Sequence, residues 1–306
     1  MTGLCMDYDD LIRYFGDRYK TTAFNPVIER LLLACPSSTV FALGGHSVVV
    51  QISPSIVAKV VVQPGDSRLQ NEQKIFHLLE QTECRYIAKC LFRGTDVSFL
   101  ECLPHGTLRD RMSIISKVPR PVLQWMLQLS SAVACIENLG YAHGDINPQN
   151  VLVDDNDGLK LIDFDHALPI GDRLNVGYEP YVRQYRVGTK DKGGSFGVAG
   201  PKTEQYALGS MFWYMSRGTE LYSELEGPDQ VERLLDDIFP EVSLEDPMDK
   251  IIDNCWHGRY NRVADLLREI EGIAGSTTKE QELVNGMEEV EKRRVCEEYY
   301  NSVTRP

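Results

Sequence analysis

The chain has 306 residues, of which 42% are hydrophobic and 25% charged, with a formal net charge of −13. That length and composition fit one two-lobed globular domain or two small ones. The acidic balance argues against a general nucleic-acid binder, which usually carries a basic stripe.

No run approaches the roughly 18 apolar residues of a membrane span. The start, MTGLCMDYDDLIRYF, lacks the basic opening and apolar core of a signal peptide. The expectation is a soluble intracellular protein, cytoplasmic or nuclear, with neither a nucleic acid nor a membrane as partner. Cysteines at 5, 35, 84, 90, 102, 135, 255 and 296 form no CxxC pair and no Cys/His cluster with zinc spacing. Most are expected to be buried small hydrophobes or inert thiols, as in a reducing compartment.

In chain order, DYDDLIRYFGDRY (7–19) suggests a short amphipathic helix through Leu11, Ile12 and Phe15, packed on the domain behind it. From Thr39 the period changes. TVFAL, SVVVQI and SIVAKVVV are β-branched runs broken by GGH and SPS, which predicts three strands joined by tight turns. QNEQKIFHLLEQ (70–81) carries Ile75, Leu78 and Leu79 at helical spacing. YIAKCLFRG and VSFLECL (86–94 and 97–103) read as two more strands.

After PHGTL the character turns helical. PVLQWMLQLSSAVACIENLGY (121–141) has a proline near its start and Gly140 as a stop. Two short strands, NVLV and LKLID, flank DDNDG, an Asx/Gly hairpin turn. Residues 165–202 are glycine-rich and irregular, and so long a loop in a compact domain is usually functional or disordered. TEQYALGSMFWYMSRG (203–218) predicts a buried helix, with further helices over 229–239 and 247–271. A charged amphipathic helix over 276–306 places Leu283, Met287 and Val290 on one face.

One constellation carries chemistry. Phosphoryl transfer from ATP requires metal ions on the phosphates, a cation beside them and a group that orients the attacking hydroxyl. In HGDINPQN (143–150), Asp145 is followed five residues later by Asn150, and the hairpin then delivers Asp163 in IDFD. An amide oxygen and a carboxylate are hard ligands suited to Mg2+. Asp145 can accept, or aim, the acceptor hydroxyl's proton.

HGDINPQNVLV followed by LIDFD resembles the catalytic loop and metal-binding motif of the protein-kinase-like superfamily. The wording HGD, with TEQYALGS, looks most like a divergent fungal-type branch. The resemblance covers about residues 40–270. It implies an α+β bilobal fold, with a small antiparallel-sheet N-lobe (39–103) and a larger helical C-lobe (104–275). An N-terminal helical extension (1–38) and a C-terminal helical tail (276–306) flank the two lobes.

By matching, Asp145 takes the catalytic aspartate role, and Asn150 and Asp163 bind the metal. His143 matches a histidine that is structural in that superfamily. SIVAKVV resembles the third N-lobe strand, making Lys59 the phosphate-contacting lysine and Glu72 its helix-borne partner. Gly44 and Gly45 fall in the phosphate-cradling loop. FLECLPHGTL resembles the hinge, so Leu100 backs the pocket and Glu101 to Leu103 offer backbone groups to adenine. Glu204 stands where an aspartate usually braces the catalytic loop. ATP and Mg2+ are the implied cofactors, and a protein, not specified by the sequence, is the implied substrate.

This sequence departs from the pattern in several places. The cradling loop, LGGHSVVV, has two glycines only. Gly144 replaces the arginine that holds a phosphorylated activation loop, although Tyr178, Tyr181, Tyr185 and Thr189 lie nearby. Asn147 replaces the lysine that neutralises the transferring phosphoryl group. Asp165 replaces the glycine of DFG, and an APE motif is absent.

Three readings follow. The intact set Lys59, Asp145, Asn150 and Asp163 supports an active Ser/Thr kinase. The substitutions support a pseudokinase scaffold. HGDxxxxNVLVD with IDFDHALPIGD also resembles aminoglycoside- and choline-kinase-like phosphotransferases of small molecules.

Overall fold

The computed structural model describes residues 8–19, 24–34, 38–114, 119–185, 196–275 and 286–304. In chain order it runs through α1 (Tyr8–Tyr19), α2 (Pro26–Ala34), β1 (Thr39–Leu43), β2 (Ser47–Ser53), β3 (Ile56–Val61), α3 (Ser67–Leu79), β4 (Cys90–Gly94) and β5 (Val97–Glu101). Then follow α4 (Leu108–Ser113), α5 (Val122–Asn138), β6 (Tyr141–Ala142), β7 (Val151–Val153), β8 (Leu159–Leu161) and β9 (Leu168–Pro169). The chain continues through α6 (Pro201–Arg217), α7 (Gly227–Leu235), α8 (Pro247–Trp256), α9 (Val263–Ala274) and α10 (Gly286–Thr304). These elements fall into two compact units, one of residues 1–80, 88–104 and 280–306, the other of 81–87 and 105–279.

The first unit is built on an antiparallel sheet in the order β1-β2-β3-β5-β4. The β-branched runs suit its pleated, half-buried surface. β3 lies between β2 and β5 and is buried at every position. Leu11 and Phe15 of α1, Val27, Ile28 and Leu31 of α2, and Cys296 and Val303 of α10 share one core with Val48, Val50, Val60 and Phe99 of the sheet. The terminal helices are therefore part of the sheet's hydrophobic core.

Sequence periodicity missed α2, although Pro26 at its first turn and apolar residues at helical spacing were available signals. α3 starts three residues before the expected helix, because the Asp66 side chain accepts from the Arg68 N–H and caps it.

The tail helix needs a correction. Val290, expected on its apolar face, is 71% exposed, and Leu283 lies outside the described residues. The inward face is Val295, Cys296, Tyr299, Tyr300 and Val303. This i, i+3, i+4, i+7 stripe begins at Val295, more than three turns after Leu283, where the sequence suggested it starts.

The second unit is helical. α5 packs on α9, and α6 on α8. α6 is buried from Glu204 to Phe212, with Lys202 and Arg217 exposed at its ends. Both carboxylate oxygens of Glu137 on α5 accept from the Val263 N–H at the start of α9, at 3.0 and 3.1 Å.

The single helical stretch expected over 247–271 is two helices. Gly258, at φ +58°, ends α8. Asp265 then accepts from the Arg262 N–H at 3.1 Å to start α9. α4 was also missed, although Thr107 and Asp110 form a capping box there.

Candidate active site

Two small antiparallel ladders in the helical unit frame the HGDINPQN loop. β6 pairs with β9 and β7 with β8, so residues 143–150 are held at both ends. β8 leads directly to Asp163, which sits in the left-handed region at φ 70°, ψ 71°. The Ile162 N–H donates to the Asn150 carbonyl at 3.0 Å, tying the Asp163 segment to the loop.

Inside the loop the side chains of His143, Asp145, Asn147 and Asn150 are all engaged. His143 is fully buried. Its Nδ1 accepts from the Asp145 N–H at 3.3 Å, and its Nε2 lies 2.9 Å from the Ile162 carbonyl. Because a carbonyl can only accept, Nε2 carries the proton and Nδ1 is bare. The ring also meets Phe164 edge-on at 5.2 Å. This is the arrangement of a packed structural histidine.

Glu204, brought in by α6, accepts from the His143 N–H at 2.8 Å and faces the Gly144 N–H at 3.4 Å. Burial pushes its carboxyl up to about 7 against the pull of those two N–H groups, and the nearby Glu137 and Asp145 add to the rise.

Asp145 is gripped from two sides. Asn150 Nδ2 donates to its carbonyl at 2.8 Å and to Oδ2 at 2.9 Å. Asn147 Nδ2 donates to the same carbonyl and to Oδ1, both at 3.1 Å. Burial, opposed by His166 and these amides, pushes the Asp145 carboxyl up to about 6. A general base works best with a pKa near the operating pH.

His166 was not singled out from the sequence. It stands on the 3-10 turn Phe164–His166, with Nε2 3.7 Å from Asp165. The carboxylate that replaces the DFG glycine thus has a cationic partner when His166 is protonated.

Asn150 and Asp163 fit Mg2+ by donor chemistry. The Asn150 amide nitrogen is committed to Asp145, which leaves its oxygen for a metal. Among the described residues no three His, Cys, Asp or Glu side chains gather as a metal cage. Mg2+ usually takes one or two protein carboxylates with substrate phosphates and keeps several waters.

Gly144 adopts φ +78°, and a Cβ there would lie 2.8 Å from Leu168 Cδ2 and 3.1 Å from the His166 carbonyl. The β6–β9 ladder therefore has no room for an arginine at this position. In the irregular segment that follows, Tyr181 donates to Glu220 at 3.1 Å, and Glu220 pairs with Arg109 at 2.6 Å. Thr189 lies outside the described residues.

In the sheet unit, Lys59 Nζ meets Glu72 Oε1 at 2.9 Å. Both residues are buried, at 9% and 0% exposure, so the cation is held in place and screened from water. Gly44 and Gly45 form the β1–β2 turn, with the Gly44 N–H donating to the Ser47 carbonyl at 2.8 Å. Neither glycine lies in the left-handed region, and a Cβ on Gly45 would meet nothing within 4 Å.

The hinge expectation is narrowed. The Glu101 N–H donates to Lys89 and the Cys102 N–H to Ser55, at 3.0 and 2.9 Å. The Glu101 and Cys102 N–H groups thus close the sheet, and Leu103 lies just past β5. Leu100 is half-buried on β5.

The cysteine expectation is corrected for one pair. Cys84 and Cys135 are joined as a disulfide, with Cα atoms 6.2 Å apart. Burial pushes the Cys90 and Cys296 thiols up to about 12 and raises those of Cys102 and Cys255, as expected of inert thiols. No described helix is long and apolar enough to cross a membrane.

The family model described as protein kinase domain matches residues 53–290. The chain belongs to the protein kinase domain family. Among curated proteins, a maternal embryonic leucine zipper kinase of Danio rerio is 31% identical over 96 residues, covering 31% of this chain and 13% of that protein. Cyclin-dependent kinase-like 5 of Homo sapiens is 29% identical over 172 residues, 55% of this chain and 16% of that protein. The serine/threonine-protein kinase MRCK beta of Rattus norvegicus is 26% identical over 160 residues, 48% of this chain and 9% of that protein. The kinase domain chain thus spans a small part of the length of these relatives.

Proposed function

We propose that this kinase domain transfers the γ-phosphoryl of Mg-ATP to a Ser/Thr hydroxyl of a protein substrate. The observation that carries the reading is Asp145. It is a half-buried carboxylate held on both oxygens by amides, with its pKa raised to about 6.

In the proposed reaction Asp145 orients the hydroxyl and takes its proton as the O–P bond forms and the bond to the ADP oxygen breaks. Lys59, fixed by Glu72, supplies the cation for nucleotide phosphates. Asn150 and Asp163 hold Mg2+, which when bound neutralises phosphate charge. The Ser/Thr reading is supported by the printed name of the MRCK beta relative. The HGD and TEQYALGS wording supports a divergent, fungal-type branch.

A second reading, a nucleotide-binding scaffold, is favoured by Asn147. Its amide is committed inside the loop and brings no positive charge to a phosphoryl group.

Two measurements test the function. Mg-ATP at about 100 times its Kd is expected to stabilise the folded chain by about 2.7 kcal/mol. Absence of any thermal shift would remove the nucleotide-binding claim. Incorporation of labelled γ-phosphate into generic protein substrates is expected to fall from the wild-type rate to a small but measurable residual rate in Asp145→Asn. Equal incorporation by both would leave the scaffold. Transfer to small alcohols or amines and not to proteins would make the chain a small-molecule kinase.

A further inference from the structure

We infer that Asn147 is a positioning residue for Asp145, acting through it and not on the transferring group. The inference rests on the proposed catalytic role of Asp145. An amide at this position could face the phosphoryl group as a weak substitute for a cation, or turn into the loop. The structure shows the second arrangement.

Asn147 is 3% exposed. Its Nδ2 donates to the Asp145 carbonyl and Oδ1, and its Oδ1 accepts from the Gln149 N–H at 2.9 Å. Both ends of the amide are therefore in use. Asn150 makes the mirror contact on Oδ2. One carboxylate oxygen is held by each asparagine, and the shared carbonyl of Asp145 anchors both amides. Rotation of the carboxylate about its Cβ–Cγ bond would break both side-chain bonds together. With Asn150 alone, a single side-chain hydrogen bond would resist that rotation.

The clamp gives the substitution a physical use. A lysine at position 147 would bring a charge to the transferring phosphoryl, whereas Asn147 fixes the direction in which Asp145 accepts a proton. Holding a reacting group in a near-attack geometry lowers the barrier without tightening ground-state binding. The consequence is a kcat effect with no KM effect for ATP.

The test uses the full chain with labelled ATP and a generic protein acceptor. Asn147→Ala removes both amide contacts. Asn147→Ser keeps a short oxygen for the Gln149 N–H, as serine does in turns, but lacks the reach of the amide donor. Both variants are expected to lose roughly ten- to hundredfold in kcat, with KM for ATP and the Mg-ATP thermal shift unchanged. In an Asp145→Asn background the same substitutions are expected to cause no further loss, because the residue they act through is gone.

A wild-type kcat in Asn147→Ser overturns the proposal, and so does a loss of full size in the Asp145→Asn background. A rise in KM matching the fall in kcat overturns it as well. A wild type whose transfer does not depend on Asp145 overturns the catalytic reading itself, and the positioning role with it.

Discussion

Glu204 is the residue at which burial and function are most directly opposed. It occupies a position where a shorter carboxylate would serve, and its two oxygens face the N–H groups of His143 and Gly144. Its folded pKa is raised to about 7 from an ordinary value of 4.5. Between those values the native state holds a proton that the unfolded chain has released, so stability falls as pH rises. The contribution is fully present below pH 4.5 and is lost as pH passes 7, a change of about 3 kcal/mol. Glu204→Gln stays neutral throughout and mimics the protonated form. Urea midpoints of variant and wild type are therefore expected to be similar near pH 5, with the variant gaining by up to that amount near pH 8. Two curves running in parallel across this range would show that Glu204 does not titrate as its burial demands.

At the scale of elements, α10 meets the tip of the β4–β5 hairpin with Tyr300. The Tyr300 hydroxyl accepts from the Thr95 N–H at 3.1 Å, and its ring lies 5.3 Å from that of Phe92. A Cβ on Gly94 would run into that ring. Gly94→Ala is accordingly expected to cost about 1–3 kcal/mol by overpacking. Tyr300→Ala is expected to cost about 2 kcal/mol through lost contacts, below the roughly 3–5 kcal/mol of a fully buried aromatic because this ring is half-buried. The double variant should cost clearly less than the sum, because the clash disappears with the ring. Additive losses in chemical denaturation would mean that α10 is not seated on Gly94 in solution.

This contact also marks what the sequence could convey. The β-branched runs of β1 to β3 and the joined pattern of loop, hairpin and IDFD are local, and could be read directly. The stripe on α10 depends on a partner two hundred residues away, and the charged first turns pulled the reading toward Val290. β6 and β9 are two residues each, too short for any periodicity, yet their pairing is what excludes a side chain at Gly144. The direction in which the Asn147 amide turns is likewise a property of the folded loop and not of its spelling.

For the molecule as a whole, the stretch 81–87 raises a question of anchoring. It belongs to the helical unit although the chain enters it from α3 and leaves it for β4, both in the sheet unit. Two of its backbone ties run to Leu161. The Leu161 N–H donates to the Tyr86 carbonyl at 2.9 Å, and Ile87 bridges Leu161. The Cys84–Cys135 disulfide adds a covalent tie to α5, and through Leu161 the same stretch abuts the strand that delivers Asp163. The closed loop spans a sequence separation of 51, for which chain-entropy arguments give a stabilisation of about 4 kcal/mol. For chains of this size about 2–4 °C of melting temperature accompanies each kcal/mol, so reduction is expected to lower Tm by roughly 10 °C. Cys84→Ser should melt near the reduced value and ignore reductant. Cys255→Ser, which removes a buried thiol outside the pair, should keep the full response to reductant. Peptide mapping without reductant should recover the Cys84–Cys135 pair. Its absence, or a reductant-insensitive Tm in protein that carries it, would show that stretch 81–87 is anchored by its packing alone.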